Sequence, residues 1–251
     1  MPSSAYESID YLFVDECQDL CSEEYTFLNK IPKKYFFAVG DERQAIYGFK
    51  GSSDEYLYEM HKNPNFTKYY LTDNYRCAPK IIYRANQYLS TFKALSPPPT
   101  TVKNSPGFVY DVKFEEALDD LEDLGNYGDW FILTRSNAEI EAIQKILNER
   151  KIPNITFRKS DFSIAELDEV LAENKVKVLT AHSAKGLESP NVIMTGFKVY
   201  NEEERKVAYV AATRAENALY ICPSIPHKRG KKNKNPSVKN VWRTENEQIE
   251  F

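Results

Sequence analysis

The sequence predicts an α/β fold with mostly parallel sheets, divided into two lobes. Apolar strand-like runs alternate with amphipathic helical stretches, which is the pattern of a parallel sheet covered by helices on both faces. A Pro-rich stretch, SPPPTTVKNSPG at 96–107, cannot continue a helix and indicates a boundary between the lobes. With 251 residues, of which 42% are apolar, the chain is long enough to bury a sizeable core.

The predicted strands lie on both sides of this boundary. They cover 11–14, 35–39 and 68–71 in the first lobe, and 108–112, 130–134, 176–180, 192–195 and 219–222 in the second. Between them, Pro79 is suited to the first turn of a helix. Ser136 and Glu139 form the sequence pattern of a capping box at the start of another. We assign the apolar stripes of these helices to the core and not to chemistry.

Composition and charge restrict the possible classes. The formal net charge of -4 and the pI near 5.6 argue against a uniformly basic nucleic-acid surface, so any such contact must come from local patches. The four cysteines lack the paired spacing of a zinc site; Cys17 and Cys21 could share a metal, but no second Cys or His pair follows nearby. Without a secretory signal or a transmembrane run, we expect reduced thiols in a cytoplasmic protein with no membrane partner.

After Ile225 the composition changes to a basic stretch that Gly and Pro interrupt, HKRGKKNKNPSVKNVWR. Such a stretch has little apolar surface to bury. The tail at 226–251 is therefore either a solvated, partly disordered end or an arm that binds phosphates or a partner.

The stretch VDECQDL at 14–20 is an apolar strand that ends in two acids. Ligands of open α/β sheets gather at the carboxyl ends of strands, so Asp15 and Glu16 could hold a metal and orient a water. Acids also close strands for solubility, and the pattern is weak evidence when taken by itself.

Two further segments of the first lobe place polar and aromatic residues after predicted strands. In YFFAVGDERQAIYGFKGS, Gln44 can bond to a phosphate oxygen and to water, while Tyr47 and Phe49 beside glycines offer faces to nucleobases. An ordinary turn with two core aromatic residues would have the same composition. In LTDNYR, Tyr75 next to Arg76 supplies a ring for a base and a guanidinium for a phosphate.

The second lobe repeats this arrangement. In VKVLTAHSAKGLE, Thr180 and His182 follow a strand and can donate to phosphodiesters, and Glu188 after Gly186 can accept from a ribose hydroxyl. His182 by itself is more typical of a structural histidine. In EEERKVAYVAATRAENALYI, Arg214 falls where a helix nears its end, and we expect it to reach out of its own lobe.

Taken in order, five segments resemble the second to sixth motifs of superfamily 1 DNA helicases of the UvrD, Rep and PcrA type. They are VDECQD, VGDERQAIYGFKG, LTDNYR, VLTAHSAKGLE and VAYVAATRAENALYI, and ILTRSN is similar to a segment of the family's second motor domain. The likeness covers most of residues 9–222. It implies a RecA-like α/β fold, divided into an incomplete first motor lobe at 1–92, a linker at 93–107, a complete second motor lobe at 108–225 and the basic tail.

The resemblance implies ATP and Mg²⁺ as cofactors. Asp15 would hold the magnesium, Glu16 would position the attacking water, and Gln44 would sense the γ-phosphate. ATP would lie in the cleft between the lobes, so that its binding and hydrolysis move one DNA-gripping lobe against the other.

The remaining nucleotide-binding roles follow from the same resemblance. Tyr75 would stack on adenine. Arg76 and Arg214 would both contact the γ-phosphate, with Arg214 as the arginine finger. Gly186 and Glu188 would belong to the nucleotide-binding set, with Glu188 on the ribose.

Four residues would face DNA, namely Tyr47, Phe49, Thr180 and His182. The partners implied are single-stranded DNA and duplex junctions. Family members usually have tryptophan at the position of Phe49, and a smaller ring should weaken the grip modestly. The large accessory insertion of the bigger family members is also missing, and a short helical stretch around 163–171 takes its place.

The Gly-rich phosphate loop that precedes the acidic strand in a complete enzyme is not in this sequence, and just thirteen residues precede Val14. We therefore expect the C-terminal part of an ATP-dependent helicase or translocase, of 3′ to 5′ polarity, inactive without an N-terminal segment or second chain that carries the loop. The alternatives are a non-catalytic module that binds DNA or a partner, and the helicase-like part of a recombinational helicase-nuclease.

Overall fold

The computed structural model describes residues 8–157 and 162–225. The basic tail at 226–251 lies outside the described residues. The chain divides into two compact units. Within the described residues, unit 1 comprises 8–106 and Lys198–Thr213, and unit 2 comprises 107–157, 162–197 and 214–225. None of the described helices has the length and apolar character needed to cross a membrane.

Unit 1 is built on two short parallel pairs of strands. Its elements are β1 (Ile9–Val14), α1 (Ser22–Lys30), β2 (Lys33–Ala38), α2 (Glu55–Lys62), β3 (Asp73–Asn74), α3 (Pro79–Tyr88), β4 (Thr100–Thr101) and α8 (Glu202–Ala212). Strand β1 pairs with β2, and β3 pairs with β4. Pro79 occupies the first turn of α3, as predicted, and this helix buries Ile81, Ile82 and Ala85.

The pair β1–β2 has an exposed aromatic face. Side chains alternate across a strand, so Tyr11 and Phe13 of β1 share one face with Tyr35 and Phe37 of β2. Each of the four is at least half exposed. The ring centroids of Tyr11 and Tyr35 are 5.0 Å apart, as are those of Phe13 and Phe37. This pair of strands therefore exposes apolar sheet surface.

The strand predicted at 68–71 is wrong. This stretch is irregular, and the neighbouring strand β3 begins only at Asp73. Leu71 is 93% exposed and Tyr69 is 86% exposed, so the apolar side chains of this stretch are not buried against the rest of the unit. Strand propensity needs a paired, half-buried surface to take effect.

The stretch predicted as a linker, 93–107, packs largely on unit 1. The buried carboxylate of Glu42 accepts from the Leu95 N–H at 2.7 Å. The buried guanidinium of Arg43 donates to the Ser96 hydroxyl at 2.7 Å and to the Pro97 carbonyl at 3.1 Å. These bonds fix the Pro-rich segment, and the boundary between the units falls after Pro106.

Unit 2 contains a six-stranded parallel sheet among its described residues. Its elements are β5 (Phe108–Asp111), α4 (Phe114–Leu124), β6 (Trp130–Thr134), α5 (Asn137–Glu149), β7 (Asn154–Ile155), α6 (Ile164–Ala172), β8 (Val176–Thr180), α7 (Ala181–Ala184), β9 (Ser189–Thr195) and β10 (Ala215–Cys222). The strand order is β5-β10-β9-β6-β8-β7, with every pair parallel. The predicted α/β class with parallel sheets is confirmed.

The core of unit 2 lies between this sheet and helices α4 and α5. Every residue of β6 and β8 is buried, as expected for central strands of a parallel sheet. The capping box of Ser136 and Glu139 is present at the start of α5, and Ile143 and Leu147 pack into the core one turn apart. The carboxyl ends of β6 and β8 are therefore held in place by a packed core.

Helix α8 is the main departure from the predicted lobes. It lies within the range predicted for the second lobe, but it packs on α3 and belongs to unit 1. Lys206 of α8 places its Nζ 2.7 Å from Asp54 Oδ2 and 4.7 Å from the centroid of the Phe92 ring. The Arg205 guanidinium donates to the Tyr88 carbonyl at 3.2 Å. A buried lysine needs such partners, and they are all in unit 1.

Candidate functional site

The two acids after β1 lie at its carboxyl end with unusual backbone geometry. Asp15 and Glu16 are exposed, and the Glu16 N–H donates to Asp15 Oδ1 at 2.8 Å. Glu16 has φ 51 and ψ 40, in the left-handed region that residues other than glycine seldom adopt. Strained backbone of this kind clusters at functional sites. The geometry marks Glu16 as a candidate for chemistry.

Gln18 connects these acids to the next strand end. Its side chain is only 1% exposed; Nε2 donates to Glu16 Oε2, and Oε1 accepts from the Asp41 N–H at 3.0 Å. A Cβ at Gly40 would come within 2.8 Å of Gln18 Oε1 and 2.6 Å of Cys17 Sγ, so glycine is required there. Gln18 was not among the predicted site residues, because the sequence does not reveal that it is buried.

Asp41 continues the connection to Gln44. The Asp41 side chain caps the 3-10 turn Glu42–Gln44 by accepting from the Arg43 N–H at 3.0 Å. Its second oxygen accepts from Gln44 Nε2 at 2.9 Å. A hydrogen-bonded series therefore runs from Glu16 through Gln18 and Asp41 to Gln44, and we call it the Gln18 bridge.

The predicted DNA-facing aromatic residues of unit 1 lie together. The rings of Tyr47 and Phe49 meet edge to face with centroids 6.1 Å apart, and Lys50 Nζ lies 4.6 Å from the centroid of Tyr47. Phe49 is 65% exposed and Tyr47 is half-buried, so the alternative of two core aromatics does not describe Phe49. Burial, with Asp19 and Glu16 nearby, raises the pKa of Tyr47. A ring beside an ammonium group suits a base and its phosphate.

Tyr75 and Arg76 follow β3. Asn74 Oδ1 accepts from the N–H groups of both Arg76, at 3.1 Å, and Cys77, at 2.7 Å, which fixes the turn. The Arg76 guanidinium donates to the Thr213 carbonyl at 3.5 Å. Tyr75 is 73% exposed. The ring of Tyr75 is thus exposed next to an arginine whose guanidinium has a backbone partner, and the roles of both residues towards a base and a phosphate stay predictions.

In unit 2, Thr180 and His182 stand at the carboxyl end of β8. The Thr180 hydroxyl caps the short helix α7 by accepting from the Ser183 N–H at 3.1 Å, and the residue is buried. His182 is half-buried in the first turn of α7. The hydroxyl of Thr180 therefore has a structural role, and its predicted contact with DNA stays a prediction.

The remaining predicted residues of unit 2 lie close in sequence and space. Gly186 has φ 81 and is followed by Leu187 and the exposed Glu188. Arg214 donates from its guanidinium to the Leu187 carbonyl at 3.2 Å. Arg214 is only 2% exposed, and its hydrogen bond holds the guanidinium beside the Gly186–Glu188 segment. Its predicted reach out of its own lobe stays a prediction.

The described residues do not form a metal cage made of protein side chains. Within residues 8–157 and 162–225, no group of three or more His, Cys, Asp or Glu side chains could hold a metal ion. Magnesium needs less, because it keeps several waters and is commonly held by one or two carboxylates together with substrate phosphates. The exposed carboxylate of Asp15 at a strand end fits that donor set.

Two family models match the chain at separate segments. The model for the UvrD/REP helicase N-terminal domain matches residues 2–65, and the model for the UvrD-like helicase C-terminal domain matches residues 159–224. The first match contains Asp15, Glu16 and Gln44, and the second contains Thr180, Glu188 and Arg214.

Curated relatives span most of the chain at low identity. Gabija protein GajB of Bacillus cereus is 24% identical over 84% of this chain and 63% of its own length. A probable DNA helicase of Mycoplasma pneumoniae is 27% identical over 86% of this chain and 44% of its own length. ATP-dependent DNA helicase Rep of Buchnera aphidicola is 27% identical over 66% of this chain and 28% of its own length.

The chain thus spans less than two thirds of the length of each of these relatives. The two family models nevertheless fall in the chain order that their names give, N-terminal before C-terminal. The sequence motifs, the parallel α/β sheets and these matches agree: the chain belongs to the family of UvrD/Rep/PcrA-type DNA helicases.

Proposed function

We propose that this chain is the C-terminal part of an ATP-dependent DNA helicase or translocase that moves 3′ to 5′ on single-stranded DNA. The observation that carries this proposal is the Gln18 bridge, which joins Glu16 and Gln44 through hydrogen bonds. A relic that no longer hydrolyses ATP would have no need of a strained, buried connection between these two groups. The bridge would align Glu16 with the attacking water and Gln44 with the γ-phosphate.

The chemistry assigned to unit 1 is phosphoryl transfer to water. The carboxylate of Glu16 orients the attacking water, and Gln44 bonds to the γ-phosphate. Asp15 would hold Mg²⁺, which neutralises charge on the phosphates when bound. The exposed ring of Tyr75 stacks on adenine, and Arg76 contacts the γ-phosphate.

Unit 2 supplies the complementary groups. Arg214 acts as the arginine finger, and Glu188 bonds to the ribose. Gly186 allows the turn that leads from α7 to Glu188. Because Arg214 bonds to the Leu187 carbonyl, a shift of the Gly186–Glu188 segment would also shift the guanidinium of Arg214. This supports a role in sensing the nucleotide.

A phosphate loop must come from a further segment, either upstream in the same protein or on a second chain. Two carboxylates and two arginines do not wrap a triphosphate without backbone N–H groups and a lysine. We propose that the aromatic face of β1 and β2 binds this segment. Parallel sheets are normally covered on both faces, and this face is continuous with the strand that ends at Asp15. A segment seated there would bring its loop to the acids.

Nucleotide binding tests this function. A fluorescent ATP analogue should bind the 251-residue chain weakly, and far more tightly after a polypeptide with a UvrD-type phosphate loop is added. Tyr11→Ser with Phe13→Ser should weaken that gain, whereas Tyr83→Ser, which changes an equally exposed tyrosine on α3, should leave it unchanged.

Tight ATP binding by the chain without the loop would contradict the proposed half-site. DNA binding without any gain in ATP binding on addition of the loop would favour the non-catalytic module instead.

A further inference from the structure

We infer that Gln18 is a positioning residue that holds Glu16 in its hydrolytic orientation and ties it to Gln44, an inference that rests on the proposed function. Each side-chain atom of its amide has a separate partner. The Nε2 atom donates to Glu16, and Oε1 accepts from the Asp41 N–H at 3.0 Å. The side chain is buried, and its printed contacts are with Glu16 and Asp41, so we assign it a positioning role and not a direct part in the reaction.

The geometry of Glu16 explains why such a residue is needed. Glu16 adopts a left-handed backbone conformation that costs free energy, and its carboxylate is exposed at the end of a strand. An exposed carboxylate on a strained residue would sample several rotamers, and few of them would aim at one water. The bond from Gln18 selects one of them.

The other end of the bridge explains how the γ-phosphate is sensed. Asp41 connects the two glutamines. Its side chain accepts a hydrogen bond from Gln44, and its backbone N–H donates one to Gln18. A shift of Gln44 towards a phosphate would pull on Asp41 and, through Gln18, on Glu16. The bridge therefore makes alignment of the water depend on the presence of a γ-phosphate.

Two substitutions separate the two ends of the bridge. Gln18→Met conserves the volume but removes both hydrogen bonds. Gln18→Glu retains an acceptor for the Asp41 N–H, but it sets a carboxylate against Glu16. Cys17→Ala is the matched control, because Cys17 lies in the same 3-10 turn, is fully buried and has no part in the bridge.

The first measurement uses the 251-residue chain and does not depend on ATPase activity. Amide hydrogen exchange at Asp41 should be slow in the wild type and in Gln18→Glu, and at least tenfold faster in Gln18→Met. Equal exchange in the wild type and in Gln18→Met would show that the bridge does not form and would overturn the inference.

The second measurement uses the chain with its phosphate-loop segment. Both Gln18 variants should lower kcat by roughly ten- to a hundredfold, with KM for ATP within twofold of wild type, as is typical when a positioning residue is lost. Both should also weaken the complex with ADP and aluminium fluoride, while Cys17→Ala should leave kcat unchanged.

Two results would overturn the positioning role. One is an equal loss of kcat in the control Cys17→Ala, and the other is hydrolysis of ATP at the wild-type rate by the Gln18 variants. If the wild-type mixture itself hydrolyses no ATP, the proposed function fails, and with it the link from the bridge to hydrolysis. The exchange measurement still decides whether the bridge exists.

Discussion

Lys206 of α8 forms an ion pair with Asp54 at the start of α2, with 2.7 Å between Nζ and Oδ2. The lysine side chain is 7% exposed and the aspartate side chain 24% exposed. Residues far apart in sequence thus share a pair that is mostly shielded from water. This pair, with the ring of Phe92, holds α8 in unit 1.

Lys206→Met should lower the free energy of unfolding by about 1–3 kcal/mol, because Asp54 would be left partly buried without its partner. The value is below that of a fully buried pair, since water still reaches Asp54. Lys34→Met is the control: its pair with Asp10 is about two thirds exposed on both sides, so the change should be within about 0.5 kcal/mol. Urea unfolding measures both; equal effects would contradict the account of α8.

Tyr47→Ala combined with Phe49→Ala should lower the affinity for single-stranded DNA by about 1–3 kcal/mol per stacked base. The chain should remain folded, since Phe49 is mostly exposed. Fluorescence anisotropy with a labelled oligonucleotide, at two salt concentrations, checks the result. Tyr83→Ala provides a matched exposed aromatic on α3 and should have no effect.

Binding should also be indifferent to base sequence and should weaken as salt rises, because stacking and phosphate contacts carry little base information. If truncation after Ile225 removes all binding while the aromatic substitutions do nothing, the basic tail is the DNA site and the assignment of Tyr47 and Phe49 is wrong.

Arg214→Ala should lower the ATPase rate of the completed enzyme by roughly a thousandfold or more, the usual scale for an arginine finger. DNA binding should be nearly unchanged. The substitution also leaves the buried Leu187 carbonyl without this donor, so a loss of stability of about 1–3 kcal/mol should accompany it. Arg214→Lys separates the two effects: it keeps a donor for Leu187, yet it should not restore the rate, because a lysine lacks the planar fork.

Burial makes three of the four cysteines poor nucleophiles. Burial raises the pKa of Cys17 to about 11 and that of Cys222 to about 12, and Cys77 is also fully buried. Thiolate is the reactive form, so at pH 8 these thiols should react slowly with a disulfide reagent such as dithionitrobenzoate. Cys21 is partly exposed and should react first. Rapid reaction of all four in the native chain would contradict the burial of Cys17, Cys77 and Cys222.

Local patterns predicted what local interactions determine. The acids Asp15 and Glu16 lie at the end of β1, as expected, because an apolar run followed by polar residues specifies where a strand stops. Helix α5 begins at its capping box for the same reason.

The errors arise where packing between distant segments decides. The stretch 68–71 has strand-like composition but finds no partner strand in the described part of the chain, and the Pro-rich stretch is held by Glu42 and Arg43, which lie more than fifty positions earlier. The role of Gln18 was missed because its burial depends on Gly40 and Asp41. The pattern of a single sequence does not show which distant residues will contact each other.

The measurement that tests the central claim most directly is DNA-stimulated ATP hydrolysis by this chain, with and without a phosphate-loop segment. The 251-residue chain should hydrolyse ATP negligibly, and the completed enzyme should show hydrolysis that single-stranded DNA accelerates. Glu16→Gln should abolish that turnover while ATP still binds. Strong hydrolysis by the chain without the loop, unchanged by Glu16→Gln and by Arg214→Ala, would contradict the account and show that ATP binds at another site.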